Sequence, residues 1–438
     1  MKMSRRNFLG SSAAAVVVAG MKAQGKVWGA NERIGVCTIG FNGQGRSHIG
    51  DVLKLKDQAE IVALCDVDSR VRESMTKTVE REQGKAPKTY EDLREVMADP
   101  DVHAVTIATP NHWHSLASIW ACQAGKDVYV EKPLSHNVWE GRQLVACAGQ
   151  TGRIVMHGTQ SRSDATLIRD MGLLRSGFLG KVVHSRGVVY KNGNRYAIGH
   201  AKEGEVPDFL NYTLWQGPAK DHPFWLNADS RRPSGLFVHY NWHWFWEWGN
   251  GEIGNQGVHE MDIASWAMGD RLPVRIASTG GRYAWDDDAE TPNTQATQFT
   301  YDDGTMMTFE VRNLGSFQEA DAGDCTNSVF CEEGYYVRRK GFFNYKGEPI
   351  EVKDPLPPSK SKFEHFFAAI RSRNAADVTA PVLPGHIGCV HCHIGNIAYR
   401  LQRTLTFDPA TETFGDDAEA NAHLKRDYRE GFEVPQFA

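Results

Sequence analysis

Ile34-Gly35-Val36-Cys37-Thr38-Ile39-Gly40-Phe41-Asn42-Gly43-Gln44-Gly45-Arg46 is the stretch on which the reading of the chain turns. Its first six residues carry no charge and form a short buried-strand pattern. They run into a G-x-G-x-x-G frame built from Gly40, Asn42 and Gly45, with Asn42 in place of the second glycine. In such a turn the glycines permit a tight bend and close helix–strand packing, and the following helix N-terminus faces a pyrophosphate. Asn tolerates unusual φ better than most residues, so the frame survives the substitution.

The surroundings strengthen this reading. A second buried strand, Ile61–Cys65, ends directly at Asp66, 21 residues after Gly45. That is the spacing expected for an acid that accepts hydrogen bonds from an adenosine ribose. An acid there repels a 2′-phosphate, which favours NAD over NADP; Arg70 nearby keeps NADP open. The competing role for Asp66 is a helix N-cap. A strand at Val102–Ala108 ends in Thr109-Pro110-Asn111-His112-Trp113-His114, and one at Asp127–Val130 ends in Glu131-Lys132-Pro133. In an open parallel sheet ligands sit at the carboxyl ends of strands, so both clusters fall at the predicted nucleotide edge.

The 438 residues exceed the usual size of one domain. Hydrophobic residues make up 41% and charged residues 24%, the composition of a globular chain rather than a disordered or fibrous one. A net charge of −5 gives no support for nucleic-acid binding. Eight cysteines are too sparse for a disulfide scaffold. At the start, Arg5-Arg6 precede a weakly apolar run, Phe8–Gly20, in the form of a bacterial twin-arginine (Tat) export signal. The run is shorter than the roughly 20 residues needed to span a bilayer stably. Gly10 departs from the common lysine, and no clean cleavage site is visible, so a retained membrane anchor stays open. The expectation is a protein exported already folded, to the periplasm or beyond, with the Tat machinery as a partner and its cofactor carried along.

Taken together, the glycine loop, Asp66, Thr109-Pro110-Asn111-His112-x-His114 and Glu131-Lys132-Pro133 resemble the glucose–fructose oxidoreductase / inositol dehydrogenase family (Gfo/Idh/MocA) over essentially the whole chain after residue 30. The resemblance implies an α/β protein: a Rossmann nucleotide-binding domain at 31–157 after a signal at 1–30, then a 158–438 α+β domain with an open, mostly antiparallel sheet. It implies that Lys132 points at the substrate hydroxyl beside the nicotinamide, and that the bond before the proline is often cis. Cofactor contacts are then expected from Gly40, Asn42, Gly43, Gln44, Gly45, Arg46, Asp66, Thr109, Pro110, Asn111, His114, Glu131, Lys132 and Gln160.

Beyond residue 158 the pattern changes to strand-like runs at Val182–Tyr190, Thr294–Tyr301 and Thr305–Arg312, with Asp302-Asp303-Gly304 as a hairpin turn. Trp215–Pro218 reads as a loop and Asp286–Asp288 as a solvated turn. Trp242, Trp244, Trp246 and Trp248 alternate with His243, Phe245 and Glu247. Indole faces stack on sugar C–H surfaces, so a carbohydrate platform and a buried aromatic strand compete as explanations. If Asn255–Trp266 is helical, Asn255 and His259 share a face with Asp262. The stretch matches the family's Asp-x-x-x-His helix, which implies His259 as catalytic base, with a pKa near working pH. Asn255 departs from the family's Asp: it can orient a hydroxyl but cannot hold a proton. Arg162, Trp242, His243, Trp244 and Asp262 complete the expected substrate contacts.

Helices are predicted at Phe363–Arg371 and Gly388–Arg403. The second contains Cys389-Val390-His391-Cys392-His393, the C-x-x-C-H pattern of haem attachment. It is rejected because covalent attachment needs an unfolded exported chain and because the motif sits inside a helical pattern. A metal site at His386, Cys389 and His393 is conceivable, but packed helix residues are the reading, and no metal is expected. Cys325 and Cys331 allow a disulfide. The functional expectation is an exported NAD-dependent oxidoreductase acting on a sugar, cyclitol or glycoside, with a tightly held, recycled cofactor. The alternatives are glycoside cleavage through transient oxidation and elimination, and a non-catalytic carbohydrate sensor. A homo-oligomer, dimer or tetramer, is expected through the open sheet.

Overall fold

The computed structural model describes residues 29, 32–191, 197–228, 238–315 and 323–438; the twin-arginine segment lies outside them. The first unit alternates strands and helices: β1 (Ile34–Ile39), α1 (Gly45–Leu53), β2 (Ala59–Cys65), α2 (Ser69–Gln83), β3 (Lys88–Tyr90), α3 (Leu93–Ala98), β4 (Ala104–Ile107), α4 (Asn111–Gln123), β5 (Asp127–Val130), α5 (Val138–Thr151) and β6 (Val155–His157). The six strands pair in parallel in the order β3-β2-β1-β4-β5-β6. Helices cover both faces, and β1, β4, β5 and β6 are buried at every position. The order reverses between β1 and β4, which opens a crevice beyond their carboxyl ends.

A short turn, Gln160–Ser163, leads into the second unit. It contains α6 (Ala165–Ser176), β7 (Val182–Val189), β8 (Ala201–Glu203), α7 (Tyr212–Gln216), β9 (Trp225–Asn227), α8 (Gly251–Gly254), α9 (Gly257–Ala267), β10 (Arg275–Gly281), β11 (Thr294–Thr300), β12 (Met306–Arg312), β13 (Cys325–Cys331), β14 (Tyr335–Val337), β15 (Gly341–Phe343), β16 (Pro349–Ile350), α10 (Lys362–Ser372), α11 (Val382–Leu401), β17 (Leu405–Thr406) and α12 (Ala418–Asn421). Nine strands form one sheet in the order β16-β15-β14-β13-β7-β12-β11-β10-β17, antiparallel except for β7–β12. α9 packs on β7 and β13, and α11 packs on β10 and α9. The other face, with Ser278, Gln298, Thr308 and Glu310, lines an open hollow.

Several sequence expectations change in the folded chain. Cys325 and Cys331 stand at opposite ends of one strand, about 20 Å apart by strand rise, so they cannot pair; all eight cysteines are free and buried. Trp215 and Gln216 end a short helix rather than a loop. The acids at 286–288 are solvent-facing at Asp286 and Asp288 but also tie the chain, Asp287 taking Arg282 and the Ile198 amide and Asp288 taking His200 and the Ala201 amide. The packing also does not follow a linear split of the chain. Phe363, Phe366, Phe367 and Ile370 of α10 return to the first unit and are fully buried against Ile34, Val36, Tyr129 and Met156. No described helix is long and apolar enough to cross a membrane.

Candidate active site

A cleft of about 500 Å³ lies between the two units, at the carboxyl ends of β1, β2, β4 and β5. Its nucleotide end is built by the β1–α1 loop. Gly40 has φ +76, and a Cβ there would meet the Thr109 amide at 2.9 Å. A Cβ at Gly45 would meet the Gly40 carbonyl at 2.1 Å, so α1 can approach β1 this closely only with glycine. Asn42 is not among the residues with positive φ, which is why a side chain is tolerated where the frame has glycine. The amides of Asn42, Gly43 and Gln44 donate to no group among the described residues, and they lead into the start of α1. Thr109 Oγ1 is buried beside them without a partner. Unpartnered donors at a helix start form an anion cradle, and these fit a pyrophosphate.

Asp66 accepts from the Phe41 amide (2.8 Å) and the Asp68 amide (3.0 Å). Burial pushes its carboxyl above the ordinary range against those two bonds. A carboxylate has lone pairs to spare after two such bonds, which a ribose diol can fill. Arg70 does not line the cleft. Its guanidinium bonds Asp68 (2.9 and 3.2 Å) and lies 3.2 Å over the Phe209 ring. The second unit reaches across this edge. Phe209 O accepts from the Ser69 amide (2.9 Å), the Asn211 amide donates to Val67 O (3.0 Å), and Asn42 Nδ2 donates to His239 Nδ1 (3.0 Å).

At the reacting end the Lys132–Pro133 bond is cis. Lys132 Nζ donates to the carbonyl oxygen (3.1 Å) and Oδ1 (3.2 Å) of Asn255, whose Nδ2 donates to Glu252 (3.1 Å). Asn255 breaks the expected helix: it sits at φ −91, ψ −89 between α8 and α9, and both it and His259 line the cleft from that break. Burial first, then the Lys132 ammonium, push the His259 imidazole down to about 3, against the raising effect of Glu131. His259 is therefore neutral at working pH and not poised near it. Glu131 is ionised: burial raises its carboxyl, but the hydrogen bond from His48 (3.0 Å) and the charges of His48, Lys132 and Lys362 outweigh this and hold it well below the ordinary range. His114 bridges the carbonyl oxygens of Thr109 (2.8 Å) and Pro133 (2.6 Å), tying the β4 and β5 strand ends together. Pro110, Asn111 and Gln160 line the same wall.

Five expected contacts lie elsewhere. Gly45 and Arg46 support the loop from α1, Arg46 donating to Phe41 O (3.2 Å). Arg162 is 3% exposed and bonds Asp262 (2.9 Å twice) and Asp270 (2.6 Å), so Arg162 and Asp262 form a sealed ion pair rather than a substrate contact. Trp244 is 1% exposed in an aromatic cluster with Trp215, Phe245 and Trp248. The alternation fails because residues 241–244 form a tight turn, not a strand. Only Trp242 of the four tryptophans lines the cleft, stacked on His243 with ring centres 3.6 Å apart. His386 meets Glu412, Cys389 Sγ accepts from Leu134, and His393 meets Ser135; no cluster suited to a metal occurs among the described residues.

Sequence reading missed Lys191 and Gln256, which line the cleft and bond each other (2.6 Å). Gln256 also donates to Glu260 (3.3 Å), a buried acid whose carboxyl burial raises to about 7 despite Arg338. It missed His48 as well. None of these three carries a local motif.

Residues 33–159 match a family described as "Oxidoreductase family, NAD-binding Rossmann fold", and residues 167–434 match its "C-terminal alpha/beta domain". The chain belongs to the Gfo/Idh/MocA oxidoreductase family. Among its curated relatives, a glycosyl hydrolase family 109 protein from Shewanella pealeana is 28% identical over 42% of this chain and 45% of its own length. An alpha-N-acetylgalactosaminidase from Shewanella oneidensis is 27% identical over 35% of this chain and 34% of its own length. The chain thus spans less than half of these curated relatives. The WlbA dehydrogenase from Bordetella pertussis, solved with NADH and UDP-GlcNAcA, superposes with a TM-score of 0.64 at 17% identity, covering 86% of this chain and 99% of that one, which shows the shared fold. The cofactor of this Rossmann domain is NAD.

Proposed function

We propose that this protein is an exported NAD-dependent oxidoreductase acting on a secondary hydroxyl of a sugar or glycoside. The observation that carries this reading is the meeting of Lys132 and His259, from different units, on one wall of the cleft whose other end holds the glycine loop and Asp66. NAD held by the loop amides and Asp66 would supply the hydride acceptor. Neutral His259 accepts the hydroxyl proton as that hydroxyl is oxidised. Lys132 stabilises the negative charge developing on the same oxygen, and Asn255 holds the ammonium in place. Trp242 and His243 supply a stacked face for the sugar ring. The chain crossing at Phe209–Asn211 and His239 supports a cofactor retained between turnovers, as an export route for folded protein would require. The uncovered sheet face supports self-association, as a dimer or tetramer.

The relatives named as glycosidases favour a second reading of the same site. Oxidation at one carbon acidifies its neighbour, elimination breaks the glycosidic bond, water adds, and reduction restores the hydroxyl, so no net redox change remains. Incubation with free sugars and glycosides, with products analysed by mass, separates the two. A shift of about two mass units marks net oxidation, and released monosaccharide marks cleavage. Neither product across the panel, with nucleotide bound, would refute both.

A further inference from the structure

A second cavity, of about 670 Å³, lies behind the cleft. Asn250 separates the two, its Oδ1 accepting from the cleft residue Asn111 (2.9 Å) and its Nδ2 donating to His136 O (2.9 Å). The volume is far above that of a trapped water and within the range of small-molecule sites.

Its charges are unevenly spent. The two acids on its wall are paired, Glu247 with Arg426 (3.5 Å) and Asp427 with Lys220 (3.7 Å). Arg400 and Lys425 make no ion pair with a described acid within 4 Å, although Glu290 acts on Arg400 from beside Trp246. Each lies over an indole instead, Arg400 at 5.1 Å from the Trp246 ring centre and Lys425 at 3.9 Å from that of Trp139. Deeper in, His136 is 9% exposed, kept neutral by burial and the Arg426 charge, with the Trp246 backbone beside its ring. Arg426 faces the buried Glu140 (3.5 Å) as well as Glu247, while its Nη2 is buried without an acceptor. Donors buried without acceptors are costly to leave unmet, and an incoming oxygen ligand removes that cost. The cavity thus presents the Lys425 and Arg400 cations at its rim and an unmet Arg426 donor within, and its polar asparagines are already satisfied: Asn396 donates to Asn250 O and Asn137 to Glu140.

We propose that this cavity is a second ligand site, taking a small organic molecule with an oxyanion head group, carboxylate or phosphate. The site is independent of the reaction assigned to the cleft. Calorimetry on NAD-saturated protein tests it with glucuronate, inorganic phosphate and glucose. At least one anion is expected to bind and glucose is not; which anion binds identifies the head group. The Arg400→Gln/Lys425→Gln variant is expected to bind that anion about tenfold more weakly, the loss of roughly one charge-assisted hydrogen bond, with unchanged melting and unchanged nucleotide content. Both substitutions are at exposed positions; if the pair melts early, Lys425→Gln alone is read the same way. Binding of neither anion, equal binding of glucose, or an affinity that the substitutions leave intact would overturn the proposal.

Discussion

Helix α9 carries two polar clusters of similar composition, less than one helical turn apart. In one, His259, with Asn255 and Lys132, lines an open cleft. In the other, Asp262 closes on Arg162, which is clamped by Asp270 as well and sealed from solvent. Both contain a cation held through two or more hydrogen bonds to this region of the chain. They differ in what the cation meets. Arg162 meets two carboxylates in a planar, saturating geometry, so its charge is consumed inside the fold. Lys132 reaches a carbonyl and an amide oxygen at a solvent-reachable wall, where new negative charge can be placed beside it. A buried charge in a sequence motif therefore signals chemistry only when a cavity reaches it.

The contrast can be broken most severely at the sealed cluster. Arg162→Met leaves the buried Asp262 carboxylate without its partner and is expected to cost about 3–5 kcal/mol of stability, read by urea unfolding. A smaller cost would mean that the pair is less buried than described. Next comes acid. His112, His157 and His393 are held near 3 by burial, against an ordinary 6.5. The unfolded chain binds more protons than the folded one below pH 6.5, so stability is complete above that value and falls as pH drops. At pH 5 each sealed imidazole is expected to remove about 2 kcal/mol at most, and a flat profile between pH 7.5 and 5 would contradict their neutral burial. Lys132→Met, at the neighbouring cluster, is expected to change unfolding free energy by less than about 1 kcal/mol and to leave nucleotide bound. The smallest effect belongs to Arg70→Gln. Because Arg70 is spent on Asp68 and Phe209, preference for NAD over NADP is expected to be unchanged in competitive binding.

The nucleotide edge was legible because its chemistry is local. Gly40, Asp66, Thr109 and Lys132 each end a parallel strand, and a parallel strand is bound to deliver its carboxyl end to the same crevice. The second unit was legible only where elements are long and periodic, as in α11 and the β11–β12 hairpin. The tryptophan stretch misled because spacing by two implies a shared face only in a strand, and residues 241–244 turn instead. Asp262 misled because sharing a helix face with His259 does not decide whether the cleft reaches it, and Arg162 closes over it instead. Lys191, Gln256, His48 and the covering His239 come from separate segments joined only by tertiary packing, and no run of neighbouring residues marks them.

The central claim is that Lys132 and His259 act on a substrate hydroxyl beside the nucleotide. It is tested most directly by rapid mixing of nucleotide-loaded protein with a panel of sugars and glycosides while nicotinamide absorbance is followed. The account predicts a change in the wild-type protein that slows by about 10²–10³-fold in Lys132→Met with nucleotide still bound, the loss typical of one preorganised charge-stabilising donor. An unchanged rate in Lys132→Met, or a protein that neither carries nor binds NAD, would contradict it.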